Sequence, residues 1–190
     1  MQKLMVFNNT SLDGYFVDAK GEMDFARNPI PDEEWDAFVA GNASGGGGGS
    51  FLFGRITYEM MASFWPTPAA KASMPVVAEA MNKTPKVVFS RTLQQADWQN
   101  TVVKNSDLVD EVRKMKAAPG AGIVIFGSGS IVSQLAAAGL IDEYQITVGP
   151  VVLGQGRTMF AGLADKLPLK LISARSFKNG NVLLRYEPAR

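Results

Sequence analysis

Cysteine and histidine are both missing from this 190-residue chain, and the two absences exclude more chemistry than any motif in it establishes. Without cysteine there is no disulfide framework, no thiol nucleophile and no thiolate metal site. Without histidine the Ser-His-Asp triad, the HExxH zinc site and imidazole acid–base chemistry are also gone. Carboxylates, Tyr, Lys, Ser or a bound cofactor are left to do the work. Hydride transfer suits that list, because the cofactor carries the reactive atom and the protein orients it.

An excess of one charge is lacking too. Nineteen Lys and Arg stand against 18 Asp and Glu, a net +1, which is not the electrostatic footprint of a nucleic-acid binder. Long hydrophobic runs are absent: Leu4 to Phe7 is too short for a signal-peptide core, and no apolar run approaches the ~20 residues of a membrane helix. The expectation is a cytoplasmic protein with no membrane partner. With 46% hydrophobic and 19% charged residues, the chain reads as one globular domain over 1–190.

Residues 3–7 are apolar and β-prone and end at Asn8, Asn9 and Thr10, which suggests a buried first strand followed by a loop carrying Ser11-Leu12-Asp13-Gly14. Residues 18–36 hold seven acidic side chains, and a short helix is expected over 33–41 with Trp35, Phe38 and Val39 inward. Ser44, Gly45 to Gly49 and Ser50 read as a mobile loop inside the domain.

Phe51-Leu52-Phe53 is a strand that Gly54-Arg55 turns into a helix over 57–64, and a second helix is expected over 73–82. Strands follow at 86–90 and 101–103, then a helix over 106–116 whose acids come early and bases late. Ile123 to Phe126 is a strand entering Gly127-Ser128-Gly129-Ser130 and a helix closed by Gly139. A strand over 144–152 is expected to kink at Gly149-Pro150, and Asn179-Gly180 predicts a type I′ hairpin turn. The alternation implies an α/β fold with a mostly parallel sheet and a C-terminal antiparallel hairpin.

Three strand ends present polar side chains: Gly54, Arg55 and Thr57; Ser90, Arg91 and Thr92; and Gly127, Ser128, Gly129 and Ser130. Gly127-Ser-Gly-Ser lies between strand and helix, where backbone N–H groups hold phosphate, although it lacks the third glycine of a dinucleotide fingerprint. Together they make a basic, hydroxyl-rich rim at the edge where an open α/β sheet binds its ligand, and a phosphate-rich nucleotide is the natural guest. Met60, Met61 and Phe64 read as core. Trp65 either caps its helix by packing or walls a substrate pocket.

Ser11-Leu12-Asp13-Gly14, Phe51 to Glu59, Lys86 to Leu93, Gly127-Ser128-Gly129, Gly139 to Tyr144, Pro150 to Gly156 and Phe160 together resemble the reductase domain of riboflavin biosynthesis, the RibD C-terminal type, which shares the dihydrofolate reductase fold. The resemblance implies a dihydrofolate reductase-like twisted sheet of about eight strands with flanking helices, NADPH as cofactor, and a homodimer. It places the adenosine-side phosphates at Arg55 and Thr57, the 2′-phosphate and adenine at Ser90 and Arg91, and the pyrophosphate at Gly127 to Ser130. The substrate is then a pterin-like, pyrimidine or related heterocycle, with Asn9, Trp35 and Trp65 as candidate contacts. The helix after the first loop offers Glu33, Glu34 and Asp36 with no motif to choose among them.

Asp13 either relays a proton or orients substrate, or else only shapes its Asp-Gly turn. The alternative outside catalysis is a nucleotide-binding protein of the same fold without turnover.

Overall fold

The computed structural model describes residues 1–27, 29–43 and 49–189. The expected mobile loop over Ser44 and the glycines falls, at 44–48, outside the described residues. In chain order the elements are β1 (Leu4–Thr10), β2 (Tyr15–Val17), α1 (Glu33–Ala43), β3 (Ser50–Gly54), α2 (Arg55–Phe64), α3 (Pro68–Ser73), α4 (Pro75–Lys83), β4 (Lys86–Phe89) and β5 (Thr101–Lys104). There follow α5 (Leu108–Ala117), β6 (Ile123–Phe126), α6 (Gly129–Ala137), β7 (Glu143–Val148), β8 (Arg157–Thr158), β9 (Leu169–Ser176) and β10 (Val182–Pro188).

Eight strands form one sheet in the order β5-β4-β3-β6-β1-β7-β10-β9. The pairs from β5 through to β7 are all parallel, while β10 runs antiparallel to both β7 and β9. Central parallel strands are covered on both faces and need apolar residues at every position. β6 meets that demand, with Ile123 to Phe126 all buried. The fold is therefore the mixed α/β architecture expected, a dihydrofolate reductase-like sheet ending in an antiparallel hairpin.

Strand alternation sends the core to two faces. On one, Phe7, Phe51, Phe53, Phe126 and Trp98 form an aromatic layer, with Phe51 and Phe126 edge to face at 4.9 Å. On the other, Leu4, Val6, Ile125 and Tyr144 of the sheet pack with Leu108 and Val112 of α5 and Val132 and Leu135 of α6. Truncating a fully buried ring such as Phe53 to Ala would cost about 3–5 kcal/mol.

Five local expectations need correcting. β1 does not give way to a loop after Phe7, because Asn8, Asn9 and Thr10 go on pairing with Ile146, Thr147 and Val148 of β7. The helix after β3 begins at Arg55, two residues early, because Gly54 is still extended and leads straight into the first turn. The helix expected over 73–82 is α4 and starts at Pro75; the unexpected helix α3 precedes it, and the two are divided at Met74 (φ −140°, ψ 63°), since a residue before proline is pushed out of the helical region. β7 stops at Val148 instead of continuing to 152: Gly149 still donates to Thr10, and then the Val151 N–H folds back onto the Gly149 carbonyl. The β9–β10 turn is not type I′, because only Gly180 has positive φ (87°); it donates to the Phe177 carbonyl, and Phe177 donates to Asn181 in a wider loop.

A pair of short strands also escaped the sequence reading. β2 and β8 pair as a separate two-stranded ribbon beside the main sheet.

Candidate functional site

The carboxyl ends of β3, β4 and β6 lie next to one another because the sheet order places β3 between the other two. A cleft of about 1180 Å³ opens there, and its lining includes every residue of the three strand-end groups: Gly54, Arg55 and Thr57; Ser90, Arg91 and Thr92; Gly127 to Ser130.

Two of these turns are stitched together by side chains. Gly54 N–H donates to Ser128 Oγ at 2.9 Å, and Ser128 N–H donates to Thr57 Oγ1 at 3.1 Å. Ser128 carries the left-handed φ of 57°, uncommon for a residue with a Cβ, and the two bonds hold it there. Gly127 shares that φ, and a Cβ on it would lie 2.9 Å from Thr57 Cγ2, so only glycine fits. The backbone passes this close to its neighbour with N–H groups leading into α6, an arrangement suited to holding an anion.

At the third strand end Ser90 Oγ accepts from the N–H groups of Thr92 (3.1 Å) and Leu93 (2.9 Å), which fixes the turn, and it also lies 3.4 Å from Thr92 Oγ1. The cations of the cleft differ in availability. Arg55 is engaged by Glu59 at 2.8 Å and Lys104 by Glu111 at 3.2 Å. The guanidinium groups of Arg91 and Arg157 have no ion pair or hydrogen bond among the described residues, and both residues line the cleft.

The remaining candidates lie outside the lining of this cleft. Asp13 is exposed, and its carboxylate accepts from Leu153 N–H (3.1 Å) and Gly154 N–H (2.7 Å), tying the first loop to the segment after β7. The Ser11 hydroxyl, then those two backbone donors, hold its carboxyl down at about 2. It stays ionised, which suits a loop clamp better than a proton donor.

Trp35 stacks among Phe38 (5.6 Å) and Phe177 (5.2 Å). Trp65 closes α2, donating from Nε1 to Met61 Sδ at 3.2 Å and packing against the aromatic core. Asn9 is half-buried in β1, where it pairs with Thr147 of β7 and therefore faces the same side of the sheet.

Of the α1 carboxylates, Glu34 pairs with Arg175 across to β9. The buried acid is instead Asp32, just before the helix. Burial pushes its pKa up, but the N–H groups of Trp35, Asn179, Glu34 and Lys178 outweigh that and hold it low.

Sequence reasoning missed Asn8, Phe16 and Arg157. Asn8 is buried at the end of β1, donating from Nδ2 to the Gly127 carbonyl at 3.2 Å and approaching Met159 Sδ at 2.8 Å. Phe16 of β2 lies against the turn, so that a Cβ on Gly129 would sit 2.9 Å from its ring. A lone Asn at a strand end and a three-residue ribbon strand carry no local signal.

The sequence and the fold both have relatives. The chain is 28% identical over 176 residues, 93% of its length, to 89% of the uncharacterized protein YyaP of Bacillus subtilis. A Shewanella sp. PV-4 protein assigned to riboflavin biosynthesis superposes with a TM-score of 0.76 at 24% identity, covering 100% of both chains. Dihydrofolate reductase of Enterococcus faecalis, complexed with NADP(H), superposes with a TM-score of 0.64 at 14% identity over 99% of this chain and 97% of that one. The family profile of the RibD C-terminal domain matches residues 2–183, and the chain belongs to that family.

Proposed function

We infer that this chain is an NADPH-dependent reductase of a pterin-like, pyrimidine or related heterocyclic small molecule. The observation that carries the reading is the convergence of three strand ends on one cleft, with an anion-ready turn at β6 and a free guanidinium at β4. Support comes also from the family and from the fold shared with an NADP(H)-bound dihydrofolate reductase.

In this reading Arg91 and Ser90 take the 2′-phosphate and adenine, Arg55 and Thr57 the adenosine-side phosphates, and Gly127 to Ser130 the pyrophosphate. Arg55 exchanges part of its Glu59 pairing for phosphate, a small cost because the pair is exposed. Bound there, NADPH supplies the hydride. Asn8 holds the Gly127 carbonyl and so fixes the turn that orients the nucleotide.

The substrate meets the ends of β1 and β7 beside Asn9, with Trp35 and Trp65 as further walls. The hydride needs an accompanying proton, and with Asp13 and Asp32 held ionised this reading takes it from solvent water.

The same reading takes the chain as one cytoplasmic domain working as a homodimer. β9 is an edge strand exposed on both faces, with Leu171 and Ile172 uncovered, which a second copy would shield. No helix among the described residues is long and apolar enough to cross a membrane.

The test is consumption of NADPH, followed in the nicotinamide absorbance band, against dihydrofolate, dihydropterins and ribosylaminopyrimidines. Turnover on one of them is expected. Tight NADPH binding with no turnover on any would leave a nucleotide-binding protein instead.

A further inference from the structure

The cleft has a second wall, formed by the β2–β8 ribbon. It contributes Phe16 and Val17 from β2, Gly21 beyond it, and Gly156, Arg157 and Thr158 around β8. Arg157 is exposed and lines the cleft, and its guanidinium has no ion pair or hydrogen bond among the described residues. A solvated surface arginine would share those features. What sets Arg157 apart is how firmly its backbone is fixed to the turn at β6.

Three contacts do the fixing. Gly156, with φ of 157°, brings the ribbon so close that a Cβ there would stand 2.1 Å from the Val17 carbonyl oxygen, so the two strands cannot separate around a larger residue. Phe16 lies on Gly129, where a Cβ would come within 2.9 Å of its ring. Met159, two residues after Arg157, is buried, and its sulfur meets the same Asn8 amide that holds the Gly127 carbonyl. The guanidinium is thus carried on a short segment anchored to Gly127 and Gly129 from both sides. It passes beside Gly21, where a Cβ would come within 3.4 Å of Nη2.

Sheet order decides which anion it meets. β6 lies next to β3, and β4 one strand further, so Arg91 stands about two strand spacings, ~10 Å, from the β6 turn. A dinucleotide laid along these ends would put its 2′-phosphate near Arg91 and its pyrophosphate near Gly127 to Ser130, beside the ribbon.

We propose that Arg157 is the second clamp of this site, binding the dinucleotide pyrophosphate from the ribbon wall while the β6 turn binds it from the sheet. The proposal rests on the reading of the cleft as a dinucleotide site. An arginine suits the task because its planar fork can take two phosphate oxygens at once.

The experiment measures dissociation constants of NADPH, NADH and inorganic pyrophosphate for the wild type, Arg157→Gln and Arg157→Lys. Arg157→Gln is expected to weaken all three roughly 10- to 100-fold, the loss of one or two charge-assisted bonds, at unchanged melting temperature. Arg157→Lys is expected to recover part of the loss, since it keeps the charge without the fork. A loss confined to NADPH would put Arg157 on the 2′-phosphate and overturn the proposal, and unchanged affinity for all three would return it to solvated surface. If the wild type takes pyrophosphate but neither dinucleotide, the reductase reading fails, and the Arg157→Gln effect on pyrophosphate still decides the clamp.

Discussion

Thr57 and Ser128 hold each other across two strand ends: the Ser128 N–H donates to Thr57 Oγ1 at 3.1 Å, and the Thr57 methyl occupies the space a Cβ on Gly127 would need. A helix-start threonine from β3–α2 therefore helps set the backbone of the β6 turn and, with the Gly54 N–H, holds Ser128 in its left-handed conformation.

Thr57→Val keeps the shape and removes the acceptor, leaving the Ser128 N–H buried and unpaired at a cost of about 1–3 kcal/mol. Reduced melting temperature and weaker binding of NADPH and NADH alike are expected, with Thr57→Ser restoring most of both. Full stability and affinity in Thr57→Val would show that the turn holds itself.

Asp13 is predicted to act as a clamp. Its carboxyl lies at about 2, below the ordinary 3.8, so the stability it contributes is present above pH ~4 and fades as pH falls through 2. Asp13→Asn, which loses one of the two acceptors for Leu153 and Gly154, should lower the melting temperature while turnover per folded molecule stays near wild type. A large fall in turnover at unchanged melting temperature would restore the proton-relay role.

Lys86 offers a pH test away from the cleft. Only 1% exposed, it donates to the carbonyls of Asn82, Thr84 and Gln99 and lies 4.4 Å from the Trp98 ring centroid, with no carboxylate partner among the described residues. Burial pushes it down to about 8 from 10.5. Between these values the unfolded chain binds the proton and the folded one does not, so stability rises with pH across this window. The gain is on the order of 3 kcal/mol by the conversion of a pKa difference. Urea unfolding of wild type against Lys86→Met from pH 7 to 10.5 should show this slope in the wild type alone; parallel profiles would refute it.

Much of this molecule was legible before its fold was known, for reasons of scale. Each strand end in the cleft joins an apolar run to Gly, Ser or Arg within a few residues, so the signal is local: Phe53-Gly54-Arg55, Phe89-Ser90-Arg91 and Phe126-Gly127-Ser128 all read directly. The Met74 break was present in the sequence too, in Pro75. The second wall was not, because β2 and β8 are three and two residues long and meet only through the fold. Asn179-Gly180 misled as to turn type because Asn179 does not adopt positive φ, and the loop widens to let Phe177 pair with Asn181. The engagement of Asp13 and Asp32 by distant backbone N–H groups is likewise a tertiary fact that no spacing reveals.

The central claim is that the cleft at the ends of β3, β4 and β6 is an NADPH site. It is tested most directly by titrating wild type and Arg91→Ala with NADPH and NADH. The account predicts that the wild type prefers NADPH and that Arg91→Ala weakens NADPH by about 1.5–3 kcal/mol, the worth of a charge-assisted bond to the 2′-phosphate, leaving NADH nearly unchanged. Equal affinity of the wild type for both cofactors, or an equal loss of both in Arg91→Ala, would contradict it.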